Sequence, residues 1–214
     1  MDHSTHLRFL DEDMRRLETL IAHAARADAG LQRKISSKEN FQLLDLACGA
    51  CNEAKTLAKV FGISDRANEE NRNMKFIGLD VRDREIAEAT ARFRSDSNSQ
   101  FEFINGDATK LEKYRELSDS FDIIFMRHQN LWNGKRTWEE IYHKALEKLS
   151  PSGRLIITSY FDREHEQAIE VIKNQGGQLL VTEANKDSRK LPFNGKSVDR
   201  HLAILKRKYV GLNI

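Results

Sequence analysis

The sequence predicts an α/β protein: a doubly wound, mostly parallel seven-stranded sheet that ends in an antiparallel strand pair and carries an N-terminal helical lid. Three observations lead there. Apolar runs of strand length alternate five times with segments of helical spacing. Parallel neighbours need a crossover between them, so such alternation reads as a parallel sheet covered on both faces. The last two strand-like runs, Gln178–Glu183 and His201–Arg207, are joined by a polar loop, Ala184–Arg200, that has no helical periodicity, and they should pair antiparallel.

The elements follow in order. Residues 5–28 place Leu7, Leu10, Met14, Leu17, Ile21 and Ala24 on one stripe, an amphipathic helix that Gly30 ends. Residues 1–40 are therefore read as a helical lid, with the polar stretch Gln32–Asn40 as a hinge to a second unit, residues 41–214. Phe41–Ala47 forms the first strand, and Glu53–Phe61 a helix with Gly62 as its C-cap. Four more pairs follow: Lys75–Asp80 with Arg84–Arg94, Phe101–Asn105 with Thr109–Leu117, Phe121–Met126 with Trp138–Leu149, and Arg154–Tyr160 with Glu164–Asn174. Thr109-x-x-Glu112 and Thr137-x-x-Glu140 fit capping boxes. Trp138, Tyr142 and Phe161 read as core, and Trp132, beside Asn133-Gly134, as a pocket wall.

Composition narrows the function. With 35 basic and 33 acidic side chains the net charge is +2, far from the one-sided field of a protein that depends on phosphate neutralisation, so nucleic acid is not favoured. No apolar run approaches the ~18 residues that span a bilayer, and the acidic first residues lack a signal-peptide core, so a cytoplasmic protein without a membrane partner is expected. Two cysteines, Cys48 and Cys51, cannot build a secreted disulfide framework, and no second cysteine pair or spaced histidines follow that would complete a zinc site.

Ligands of open α/β sheets sit beyond the carboxyl ends of the strands. The first strand runs into Asp45-Leu46-Ala47-Cys48-Gly49-Ala50-Cys51, small residues that let a ligand approach the free N–H groups of the next helix. The second ends in Gly78-Leu79-Asp80, whose acid is placed to accept two hydrogen bonds from a ribose diol. The third ends in Asn105-Gly106-Asp107-Ala108, a second acid suited to an exocyclic adenine amine, and the fourth in Met126-Arg127-His128-Gln129-Asn130.

These residues resemble the class I S-adenosylmethionine-dependent methyltransferases from about Phe41 to Lys208. The Asp45–Cys51 segment is similar to that family's acid-x-Gly-x-Gly-x-Gly motif, with Ala47 and Cys51 in place of two glycines, and Leu149–Leu155 is similar to its turn into the fifth strand. The resemblance implies S-adenosylmethionine as cofactor. It implies contacts from Asp45 (toward the methionine amino group), Ala47, Cys48, Gly49, Asp80 (ribose), Val81, Asp107 (adenine), Ala108 and Met126. It places the methyl acceptor beside His128, a candidate general base or orienter, with Asn130 and Tyr160 next to it. A small or medium-sized acceptor is expected. No Asn/Asp-Pro-Pro-aromatic segment follows the fourth strand, which argues against base-amine methylation. RNA or protein methylation, a non-catalytic S-adenosylmethionine-binding protein and, through Cys48-Gly49-Ala50-Cys51, a thiol oxidoreductase are the alternatives.

Overall fold

A computed structural model describes residues 3–37, 40–62, 74–94 and 100–208. Seven strands, β1 (Phe41–Leu46), β2 (Met74–Asp80), β3 (Phe101–Asn105), β4 (Phe121–Arg127), β5 (Leu149–Ser159), β6 (Gly177–Ala184) and β7 (His201–Arg207), form one sheet in the order β3-β2-β1-β4-β5-β7-β6. Every pair from β3 to β5 is parallel, and β7 inserts antiparallel between β5 and β6, so the expected fold class stands. Strand order reverses between β1 and β4, which sets the switch point where ligands of such sheets bind.

Alternation along the strands sorts side chains to two cores. Phe41, Leu43, Phe76, Ile123, Phe125, Ile156, Leu202 and Ile204 face helices α1 (His3–Arg26), α3 (Ala54–Phe61) and α4 (Asp83–Phe93). Leu44, Leu46, Ile77, Leu79, Ile124, Met126, Leu155 and Ile157 face the other way, toward α5 (Lys135–Lys148) and α6 (Asp162–Asn174). Tyr142 is buried in that second core as expected, while Phe161 is only half-buried, against Trp132.

Four local expectations are corrected. The first part of the polar stretch, Gln32–Ser36, is no hinge: it belongs to a further helix, α2 (Ala29–Ser36), because Asp28 caps the N–H groups of Gly30 and Leu31 and binds Arg154 of β5. Gly30 thus opens a helix instead of ending one. Leu17, Leu20, Ile21, Ala24 and Ala25 of α1 lie in the first core, so its second half belongs to the body of the fold and only its first half is left for a covering role. After β3 the chain makes a kinked 3₁₀ segment, Ala108–Lys113, instead of an α-helix from Thr109. Asp107 takes the cap that the Thr109-x-x-Glu112 pattern assigned to Thr109, and α5 begins at Lys135, two residues ahead of Thr137, so neither capping box forms.

Candidate active site

The same alternation that builds the first core carries polar side chains past its edge. Asp45 follows Leu43, Asp80 follows Phe76 and Gly78, Arg127 follows Phe125, and Thr158 follows Ile156, all on one face at the carboxyl ends of adjacent strands. The backbone there is strained. Ala47 (φ 56°), Cys51 (φ 52°), His128 (φ 59°) and Asp199 (φ 47°) are all the described non-glycine residues with positive φ, and each costs on the order of 1–2 kcal/mol in a left-handed conformation. With Gly49 (φ 57°), Ala47 and Cys51 show why an every-second-residue glycine pattern suits this loop, which alternates into the left-handed region. The loop lies on β2 through Cys48 N–H to Leu79 O (3.2 Å). A Cβ on Gly78 would sit 2.9 Å from Cys51 Sγ and 3.1 Å from Cys48 Sγ, so the two buried, free thiols fill the space that this glycine leaves.

Asp80, 3% exposed, accepts from Gly49 N–H (2.7 Å), Arg82 N–H (2.9 Å) and Arg82 Nε (3.0 Å). Burial works against its ionisation, but Arg82 and the two N–H groups outweigh that and hold the carboxyl below the usual range. The half-exposed Arg82 side chain was not singled out from sequence; it bonds both oxygens of Asp80. Asp107 spends its oxygens locally, on Lys110 Nζ (2.7 Å), Thr109 Oγ1 (2.7 Å) and Thr109 N–H (3.0 Å), which brings its pKa down to about 2. Val81 is exposed and Ala108 and Cys48 buried beside this edge. Met126 is fully buried in the second core, so its side chain points into the fold and only its backbone faces the edge.

Toward β4 the edge holds a buried chain of charges. Asp45, fully buried, accepts from Cys51 Sγ (3.4 Å) and interacts electrostatically with Glu53, which precedes α3, while its Oδ1 has no partner. Burial first, then the neighbouring Glu53, pushes the Asp45 carboxyl up, and burial does the same to Glu53. Glu53 is 3.6 Å from Arg127 Nη1, and Arg127 grips Asp199 through Nε (2.9 Å) and Nη2 (2.7 Å). Thr158 Oγ1 also donates to Asp199 (2.8 Å), and the Asp199 N–H reaches His128 Nε2 (3.2 Å). His128 stacks on Tyr160 with centroids 3.7 Å apart, and Lys196 Nζ lies 4.3 Å from the same ring. The β6–β7 loop that supplies Asp199 and Lys196 is tied down by Ser197 N–H to Tyr160 O (3.2 Å) and by Arg189 to Asp13 of α1 (2.9 Å).

Asp45, Ala47, Cys48, Gly49, Asp80 and His128 therefore converge on one edge. Glu53, Arg82, Lys196 and Asp199 join them without having been singled out; the only trace of Asp199 in the sequence is an acid just before the last strand, an unspecific signal.

The fold and edge define a class: a doubly wound α/β protein in which the loop after the first strand and the acid ending the second meet at the switch point of the sheet. Comparison with known proteins narrows it. A family described as a methyltransferase domain matches residues 37–201, and the chain belongs to that family. No curated protein matches the sequence. Among solved structures, the chain is similar to a TehB-like SAM-dependent methyltransferase from Corynebacterium glutamicum (18% identity, 94% of this chain and 99% of that one, TM-score 0.56). It is similar to Aeropyrum pernix fibrillarin in complex with natively bound S-adenosyl-L-methionine (14% identity, 80% and 68%, TM-score 0.57). It is also similar to the [4+2]-cyclase SpnF (21% identity, 74% of this chain, TM-score 0.56), of whose length it spans 58%. These likenesses show the fold alone; one is named a cyclase, so the fold does not fix the reaction.

The methyl donor that the family implies is S-adenosylmethionine. The residues present fit it. Asp45 Oδ1 is a buried acceptor without a partner, suited to an ammonium group, and Asp80 retains its two backbone N–H bonds if a diol replaces the Arg82 side chain.

Proposed function

We propose that this protein transfers a methyl group from S-adenosylmethionine to an oxygen, nitrogen or carbon atom of a small or medium-sized acceptor. The observation that carries the reading is the convergence of all described non-glycine positive-φ residues on the edge that also holds Asp45, Asp80 and His128, since backbone strain of this kind persists where function requires it. Asp80 would hold the ribose, the Gly49 loop and Asp45 the methionine end, with Ala47 and Cys48 as its walls, Asp107 the adenine amine, and Val81 and Ala108 the adenine edges. The bound donor supplies an electrophilic sulfonium methyl. The chain's part is alignment and exclusion of water: Arg127 and Asp199 fix the floor, His128 meets the acceptor, and the first half of α1 with the β6–β7 loop covers it.

Among the described residues no helix is long and apolar enough to cross a membrane. A cytoplasmic setting is part of the proposal and accords with two free cysteines. Calorimetry with S-adenosylmethionine and S-adenosylhomocysteine tests the donor site: both bind, and Asp80→Ala weakens binding. No heat with either ligand would overturn the reading. Labelled donor with fractionated cell metabolites would then identify the acceptor.

A further inference from the structure

The buried charges between β1 and β4 do not balance. Asp45 on β1, Glu53 ahead of α3 and Asp199 on the β6–β7 loop bring three carboxyls that are at most 5% exposed, and one guanidinium, that of Arg127, stands among them. Asp199 takes Nε (2.9 Å) and Nη2 (2.7 Å) of that guanidinium and a further hydrogen bond from Thr158 Oγ1 (2.8 Å). Nη1 is left for Glu53, at 3.6 Å. Asp45 forms no ion pair among the described residues: its Oδ2 accepts from the Cys51 thiol (3.4 Å), and its Oδ1 is a buried oxygen without a partner. With all three acids ionised, three negative charges against one positive would leave a net −2 where water does not reach. Adjoining carboxyls in such a place do not both ionise; they share a proton.

We propose that Asp45 and Glu53 hold one proton between them in the free protein and that the ammonium group of the methyl donor displaces it, which makes Glu53 a second carboxylate of the methionine site. The cluster then keeps one net negative charge throughout. Before binding it holds two carboxylates, one carboxylic acid and Arg127; afterwards it holds three carboxylates, Arg127 and the ammonium, and the proton has gone to solvent.

The groups around the pair leave this exchange to the two acids. On the loop, burial pushes the Cys51 thiol up, and for Cys48 the Cys51 hydrogen bond is outweighed by burial and the nearby carboxyls, so both thiols stay neutral. Beyond Asp199, burial keeps the His128 ring neutral; Tyr160 stacks on that ring, and Lys196 Nζ lies 4.3 Å from the centre of Tyr160. Asp80, on the far side of Cys48, is paired with Arg82. The inference rests on the methyltransferase reading and adds how the donor is recognised: a nucleoside thioether that lacks the amino-acid end, 5′-methylthioadenosine, cannot discharge the pair.

Calorimetry of the full chain with S-adenosylhomocysteine, in two buffers of different ionisation enthalpy at about pH 6.5, where an α-amino group is still charged, counts the protons. Release of about one proton per ligand is expected, with affinity rising ~tenfold per pH unit below the apparent pKa of the pair and levelling off above it. Binding with no release, or with a flat pH profile, overturns the proposal, and so does equal release with 5′-methylthioadenosine. Glu53→Gln reaches the same net charge without a proton, so binding with release near zero is expected there; release equal to the parent's overturns the part given to Glu53. If that variant does not fold, carbon-13 NMR of the parent's carboxyls decides the same point. Asp45 and Glu53 are expected to titrate together above the ordinary carboxylate range, in a step that S-adenosylhomocysteine removes; a Glu53 carboxyl unmoved through the Asp45 step overturns its part. Protein that binds neither ligand defeats the methyltransferase reading, and protein that binds S-adenosylhomocysteine without releasing a proton defeats this inference alone.

Discussion

The two halves of the carboxyl edge are built on opposite plans. On the β1–β2–β3 side, Asp80 bonds the N–H of Gly49 and of Arg82, and Asp107 bonds Thr109 and Lys110, so each acid is satisfied by loop backbone or near neighbours; Asp107 is partly exposed, and Asp80, though buried, pairs with the exposed Arg82 side chain. On the β4–β5 side, Arg127 is satisfied by Asp199, 72 positions away, and by Glu53, in a nearly dry cluster. On the proposed function, ligand groups enter the first half by displacing one exposed side chain, Arg82. The second gives a rigid floor whose parts cannot be removed singly, because each removal leaves a buried charge alone.

That contrast can be broken from its strongest point downward. Deleting residues 1–30 is expected to abolish folding, because Leu17, Leu20 and Ile21 leave the core at about 1.5–3 kcal/mol each against a total stability of roughly 5–15 kcal/mol. Circular dichroism of the truncated chain checks this, and a folded product would restore the whole helix as a detachable lid. Arg127→Met is expected to cost about 3–5 kcal/mol in urea unfolding, since Asp199 and Glu53 lose their shared cation. A cost below 1 kcal/mol would show that the cluster is not a unit.

Smaller effects belong to the other half. Asp80→Ala is expected to weaken donor binding by about 1.5–3 kcal/mol per charge-assisted hydrogen bond lost and to lower the melting temperature, because the Gly49 and Arg82 N–H groups lose their acceptor. Asp45→Asn is expected to stabilise the fold by roughly 0.5–2 kcal/mol at neutral pH while weakening donor binding. The sign follows from linkage: the folded-state pKa of Asp45 is raised by burial and by Glu53, so its contribution falls as pH rises from the ordinary carboxylate range toward that raised value. Asp199 has the opposite sign. Its folded-state pKa is lowered: burial opposes this, but Arg127, then His128, outweigh it, so its stabilisation is complete above the ordinary carboxylate range and is lost as pH falls through and below it. Hydrogen exchange in acid should therefore release the β6–β7 loop before β1 and β2. Arg82→Ala is the smallest change, about 0–1 kcal/mol in stability because the guanidinium itself is exposed and Asp80 keeps its two backbone N–H bonds, with donor affinity unchanged or modestly increased. A loss of affinity there would make Arg82 a ligand contact instead of a competitor.

The sequence by itself determined the sheet, its parallel order and its antiparallel end, because two-residue alternation and helical spacing are local signals that survive without knowledge of partners. Asp45, Gly49 and Asp80 were legible for the same reason: each sits at the end of a strand that its own neighbours define. Tertiary structure decided what lay beyond that range. The break at Ala27–Asp28 depends on Arg154 reaching Asp28 from β5, and the kinked segment at Ala108–Lys113 on Asp107 winning the cap. The buried charge cluster depends on a polar loop of ordinary composition folding back so that Asp199 meets Arg127 and His128. A carboxylate in a loop looks solvated in sequence, and only burial against a guanidinium and an imidazole from another strand gives it a role.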